Sequence, residues 1–162
     1  MTSALIGLGG NLGDRRSALR AALAALSTIG RVTDASPVYE TAPRHVTDQP
    51  AFLNMAAALE TALLPLDLLH ALKGIERDLG REPGQRFGPR LLDLDILMYG
   101  DAVLDLPALR VPHPRIAERE FVLRPLADIA PRRRHPALGR TVAELLAGLG
   151  EDQGVVQVAT AP

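Results

Sequence analysis

The chain has 162 residues, 47% of them hydrophobic, and a formal net charge of −1, which is length for one domain with a real core and too little for two of ordinary size. It has no cysteine, which excludes a disulfide framework, thiol catalysis and any cysteine-held zinc or iron–sulfur centre, and fits a cytoplasmic protein. The near-zero charge speaks against a general nucleic-acid binder, no run is long enough to span a membrane, and "ALIGLGG" near the start lacks the basic flank of a signal peptide.

"SALIGLGG" reads as a strand running into a glycine turn, after which Asp14 caps a helix to about Ile29 with Leu19, Leu23 and Leu26 on its buried face. "RVTDASPVYET" reads as an irregular extended segment in which Pro37 disfavours a central strand. The polar loop "APRHVTDQP" leads to a strand, "FLNMAAALET", and Pro65 opens a helix that ends at Gly80. The loop "REPGQRFGPR" then delivers the chain to "LLDLDILMYG".

Alternation in that last run puts Leu92, Leu94, Ile96 and Met98 on one strand face and Asp93 with Asp95 on the other. The order is β-α-β-β-α-β, so the expected fold is α+β: a ferredoxin-like antiparallel sheet with both helices on one face and a C-terminal extension. The aspartate face should look away from the helices, toward what the C-terminal third covers. Short helices are expected around 119–127 and 141–148. Residues 1–162 read as one domain whose last dozen residues are open to fraying, with "VVQV" able to add an edge strand.

Asp93 and Asp95 carry the main chemical signal. Their Cα atoms should lie roughly 6.5 Å apart on one face, and two such anions beside an apolar layer repel each other unless a cation joins them. Magnesium suits an all-oxygen site with few protein ligands, because it keeps waters and shares phosphate oxygens. A plain solvent-facing strand with paired acids is the alternative reading. Arg81, Arg86 and Arg90 stand beside the aspartates in sequence, and His113 and Arg119 follow; arginine pairs bidentately with phosphate, so metal on one side and guanidinium on the other make a polyphosphate clamp. "GLGGNLGD" fits neither the dinucleotide fingerprint, since Leu12 stands where glycine is needed, nor a phosphate loop, and reads as a turn with a helix cap. Phe52 and Asn54 share a strand face and suit a flat heterocycle, ring against ring with an amide at its edge, or else core packing and a turn bond; Phe121 could be the opposite wall.

Taken together, "GLGGNLGD", "YETAP", "DQPAFLNMAAALET", "IERDLGR", "RFGPRLLDLDIL", "VPHPRIAER" and "FVLRPLADIAP" resemble the 6-hydroxymethyl-7,8-dihydropterin pyrophosphokinase family of folate biosynthesis. The resemblance implies transfer of pyrophosphate from ATP to the pterin hydroxymethyl group with release of AMP. It implies two magnesium ions on Asp93 and Asp95 and a steadying role for Arg81 and Arg90 at the transferred group. ATP would be held by Glu76, Arg86, Arg90, Ile96, His113 and Arg119. The pterin would lie between Phe52 and Phe121 with Asn54 at its edge, helped by Thr41, Ala42, Pro43, Arg44 and Asp93. The loops around 44–50 and 81–89 are expected to close over substrate. Pro83, Phe87, Arg44 and His45 depart from the family pattern. ATP and the pterin are the expected partners, with no nucleic acid, no membrane and a monomeric state. A ligand-sensing ferredoxin-like module and a metal-dependent nucleotidyltransferase or phosphohydrolase are the rival readings.

Overall fold

The computed structural model describes residues 1–42, 48–80 and 91–162. The expectations placed on Pro43, Arg44, His45, Arg81, Pro83, Arg86, Phe87 and Arg90, and on most of the two loops expected to close, lie outside the described residues.

Strand β1 (Thr2–Gly10) is followed by helix α1 (Arg15–Leu26), then β2 (Arg31–Ala35), β3 (Val38–Thr41), β4 (Phe52–Thr61), α2 (Pro65–Asp78) and β5 (Asp93–Tyr99). The remainder comprises a small hairpin, β6 (Leu104–Asp105) with β7 (Arg110–Val111), a short 3-10 turn at Ile116–Glu118, α3 (Glu120–Ile129), α4 (Val142–Ala147) and β8 (Val156–Ala159). The main sheet runs β5-β1-β4-β3-β8, with β2 also on β4, and its pairings are all antiparallel. The fold is therefore α+β with an antiparallel sheet.

Local chemistry accounts for the element ends. The Asp14 side chain accepts from the Ser17 N–H and starts α1. Pro65 sits in the first turn of α2, where its missing N–H costs nothing, and Gly80 at φ +92° turns the chain out. Leu19, Ala22 and Leu26 of α1, with Leu68, Leu72 and Ile75 of α2, pack on Ile6, Leu8, Leu53, Met55, Leu94 and Ile96 to make the larger core. On the opposite sheet face, Leu5, Ala56, Leu97 and Met98 pack against Leu123 and Leu126 of α3 and Val142 and Leu145 of α4.

Two expectations need correcting. "RVTDASPVYET" is not irregular: it is two strands, both paired with β4, and β3 lies between β4 and β8. Pro37 falls in the gap, where Ser36 keeps the ladder satisfied by donating its N–H to the Ala56 carbonyl and accepting the Ala56 N–H on its hydroxyl. Met98 does not share a face with Leu92, Leu94 and Ile96. The β1–β5 register shifts between Leu5 and Ile6, so Ile6 faces Ile96 while Leu5 faces Met98. Leu97 is the extra residue of a β-bulge, and beyond it the alternation is inverted: Met98 joins the α3/α4 side and Tyr99 the α1/α2 side.

Candidate functional site

α3 and α4 cover only part of their sheet face, and at the uncovered end lies a cavity of about 520 Å³. Its floor is built from β-register. Asn54 on β4, Gly9 on β1 and Asp93 on β5 lie in one cross-strand row, and Gly7 faces Asp95 in the next row of that face. Because neither glycine carries a side chain, nothing from β1 fills the space beside the two carboxylates. These glycines were read from sequence as a turn, yet they belong to β1; glycine at alternate positions of an apolar strand is the signal that could have marked a cavity floor.

The cavity brings together Thr41, Ala42, Phe52, Asn54, Asp93, Asp95, Arg119 and Phe121, eight of the residues singled out in the sequence. Asn54 donates through Nδ2 to the Thr41 hydroxyl at 3.5 Å. The Arg119 guanidinium sits 5.4 Å from the centre of the Phe121 ring, within cation–π range. Leu97, Arg115, Glu118, Val122 and Gln153 also line it and were not anticipated. Tyr39, in register with Asn54, donates its hydroxyl to Asp128 of α3 and ties that helix to the floor. Burial and then the Asp128 carboxylate push the phenol up to about 12, so it stays a donor.

Glu76, Ile96 and His113 do not line this cavity. They gather along the outer edge of β5. Glu76, only 2% exposed, accepts the Leu94 N–H at 2.7 Å and pairs with Lys73; the His113 N–H donates to the Leu97 carbonyl at 2.9 Å; Ile96 lies between those two anchor points. His113 Nδ1 accepts from the Arg115 N–H, which leaves the ring proton on Nε2. Burial first, then the Arg119 charge, hold His113 below its usual value, so it is neutral at pH 7.

Burial, and next the Asp93 carboxylate, push Asp95 up to about 7. Two carboxylates held together at this cost to ionisation are the donor set that a hard cation would relieve. Among the described residues no three His, Asp or Glu side chains converge on one point. Nor is any helix of the described residues long and apolar enough to cross a membrane.

Comparison with known proteins agrees with this chemistry. The family described as 7,8-dihydro-6-hydroxymethylpterin-pyrophosphokinase (HPPK) matches residues 5–131. A 2-amino-4-hydroxy-6-hydroxymethyldihydropteridine pyrophosphokinase of Pseudomonas aeruginosa is 50% identical over 144 residues, 88% of each chain. A mitochondrial folate synthesis bifunctional protein of Arabidopsis thaliana is 52% identical over 126 residues, 77% of this chain and 23% of that one. Among solved structures, wild-type Plasmodium falciparum HPPK-DHPS with pteroate superposes with a TM-score of 0.73 at 17% identity, over 90% of this chain and 42% of that one. An HPPK-DHPS in complex with substrates gives 0.74 at 15% identity, over 90% and 44%. The chain thus spans less than half the length of the last three of these proteins, and the structural likeness speaks to the fold.

Proposed function

The chain belongs to the 7,8-dihydro-6-hydroxymethylpterin-pyrophosphokinase family, and from that premise we propose how its residues carry out the reaction. It is an ATP-dependent pyrophosphokinase of folate synthesis: pyrophosphate passes from ATP to the hydroxymethyl group of 6-hydroxymethyl-7,8-dihydropterin, and AMP is released. Neither rival reading, the sensing module or the nucleotidyltransferase, accounts for the family match.

The observation that carries the assignment of roles is the cross-strand row Asn54, Gly9, Asp93, with Asp95 opposite Gly7, opening into one cavity with Phe52 and Phe121. The pterin lies between the two phenylalanine rings with its edge on the Asn54 amide, next to Thr41, Ala42, Pro43, Arg44 and Asp93. ATP lies along the outer edge of β5, held by Glu76, Ile96, His113, Arg86, Arg90 and Arg119. Its phosphates meet the aspartates from the β5 side, and the pterin's hydroxymethyl group faces them from the β4 side across Gly7 and Gly9, which lie between. Magnesium, two ions in this proposal, would supply charge neutralisation and alignment of the phosphates when bound at Asp93 and Asp95.

The pterin hydroxymethyl oxygen forms a bond to the β-phosphorus as the bond from that phosphorus to the oxygen of the α-phosphate breaks; AMP departs and the alcohol proton is released. The chain's own residues position and stabilise. Phe52 and Phe121 fix the ring plane so that the exocyclic oxygen faces the phosphate, Arg119 offsets developing negative charge, and Arg81 and Arg90 steady the transferred group. A ferredoxin-like core, one domain over residues 1–162, a monomer in the cytoplasm and no nucleic-acid or membrane partner belong to the same proposal; the strand order β5-β1-β4-β3 supports the first.

The test is chromatographic: AMP is quantified after incubation with ATP and magnesium, with and without the pterin. Pterin-dependent AMP that disappears on chelation supports the reading. AMP formation that ignores the pterin, or none from folded protein, refutes it.

A further inference from the structure

α3 begins without a cap of its own. Its N-cap residue is Arg119, whose side chain makes no capping bond, since a guanidinium has no acceptor to offer the first helical N–H groups. The missing acceptor comes from the tail. Gln153 Oε1 accepts the Glu120 N–H at 3.0 Å, and the bond is returned: Glu120 Oε1 accepts the Gln153 N–H at 3.0 Å. Gln153 Nε2 also donates to the Glu118 carbonyl at 3.1 Å. Glu120 is 5% exposed, and its second oxygen accepts from Arg124 at 2.6 Å, so this buried carboxylate is satisfied on both sides.

The place of this clasp gives it significance. Glu120 stands between Arg119 and Phe121, and Glu118, Arg119, Phe121 and Val122 all line the substrate cavity, as does Gln153 itself. Two hydrogen bonds from the Gln153 amide therefore hold the backbone on either side of Arg119, and a third ties the Gln153 N–H to the Glu120 side chain. The contact joins segments 33 residues apart in sequence, and Gln153 lies beyond residues 5–131, the stretch that matches the family. Past the clasp the tail is fixed again: β8 pairs with β3, and Arg16 and Arg20 donate to the carbonyls of Ala161 and Pro162.

We propose that Gln153 is a positioning residue for the pterin: the tail is part of the cavity wall, and through Glu120, the residue before Phe121, it sets the orientation of that ring. The proposal rests on the assignment of the pterin to this cavity. Importing the cap from the tail lets an arginine occupy the N-cap position and direct its side chain to the cavity. The reciprocal bonds to Glu120 compensate for the rigidity that a self-capping serine or aspartate would provide locally.

Gln153→Ala and Gln153→Met remove the amide, the second while keeping its volume. Steady-state AMP formation is measured with each substrate varied, together with thermal melting and with Glu151→Ala, an exposed neighbour, as control. The expected result is a pterin KM raised on the order of tenfold in both variants, as loss of two hydrogen bonds implies, with kcat within about threefold and the melting midpoint little changed. Glu120→Ala should raise the same KM, and Glu120→Ala combined with Gln153→Ala should be no worse than the worse single variant, since the two act as one unit. A pterin KM within about twofold of wild type would overturn the proposal. So would a fall in kcat, a rise in both KM values and a drop in melting together, because a merely structural residue gives that pattern. Absence of pterin-dependent AMP from the wild-type chain would overturn the functional reading and this inference with it, whereas normal wild-type activity with an unaffected Gln153→Ala strikes the inference alone.

Discussion

Gly9→Ala is the substitution whose cost can be worked most directly from the structure. A Cβ at Gly9 would stand 2.7 Å from Asn54 Oδ1 and 3.3 Å from the Leu53 carbonyl oxygen. The first distance is not one that non-bonded carbon and oxygen hold, and the second involves backbone pinned by the β1–β4 ladder. The Asn54 amide must therefore turn away, and its 3.5 Å bond to Thr41 is too long to resist. Overpacking of this kind costs roughly 1–3 kcal/mol, which for a chain of this size lowers the melting midpoint by about 2–12 °C. The same movement displaces the group assigned to the pterin edge, so pterin KM should rise on the order of tenfold, with ATP KM held. Gly7→Ala is the internal comparison. Its new Cβ would first meet the Leu97 side chain, at 3.3 Å, and a leucine terminus can yield, so both effects should be less than about half as large. Thermal melting and AMP kinetics on the pair decide the matter. Wild-type pterin KM in Gly9→Ala, or equal effects of the two substitutions, would refute the steric reasoning.

Asp95→Asn should lower AMP formation on the order of 10²-fold or more while leaving the metal-free protein as stable or more so, because one of two repelling carboxylates is removed; a modest kinetic effect with magnesium dependence intact would count against the metal role. Glu76→Ala strips the acceptor from the buried Leu94 N–H and should cost about 1–3 kcal/mol in urea unfolding, whereas Glu76→Gln keeps an oxygen there and should cost less; equal losses would mean the hydrogen bond is not what matters. His135 is buried, its Nδ1 accepts the N–H groups of Ala137 and Leu138, and burial holds its pKa below 6.5. The folded state therefore binds that proton less readily than the unfolded state. Its contribution is full above about pH 6.5 and is lost as pH falls through the lowered value. His135→Asn, which keeps an acceptor and cannot titrate, should flatten the acid limb of a stability–pH curve, and an unchanged slope would exclude the imidazole as its source.

Much of the site was legible because its parts repeat with a simple period. Phe52 with Asn54, and Asp93 with Asp95, are alternate residues of strands, so shared faces followed from spacing alone. α1 and α2 were marked by leucine spacing and by Asp14, Pro65 and Gly80 at their ends. The misplacement of Met98 has a physical cause: alternation predicts a face only while the ladder is regular, and a bulge, set by the partner strand, leaves no trace in the residues around Leu97. Pro37 misled because a proline can interrupt a strand pair without abolishing it when a neighbour such as Ser36 supplies the missing partner. Glu120 and Gln153 were invisible for another reason. A charged residue followed by apolar ones reads as a solvated helix start, and no local pattern says that a tail glutamine 33 residues later will bury it. The glycines of β1 were seen, but their meaning depended on which residues stood across from them.

The bulge at Leu97 divides β5 into two stretches that answer to different demands. On the near side, phase is dictated by Asp93 and Asp95; on the far side, by Met98 against α3 and α4 and by Tyr99, whose hydroxyl reaches the Leu63 carbonyl at 2.6 Å. The extra residue acts as a phase-shifter between them. Pairing Leu97 with Leu5 in a regular ladder would turn Met98 and Tyr99 to the wrong sides, whereas deleting Leu97 would keep both on their present sides and remove only its side chain from the α3/α4 core. The chemistry of one end and the anchorage of the other thus lie on separate stretches of β5, joined by a residue that adds its side chain to the α3/α4 core without changing the face of either.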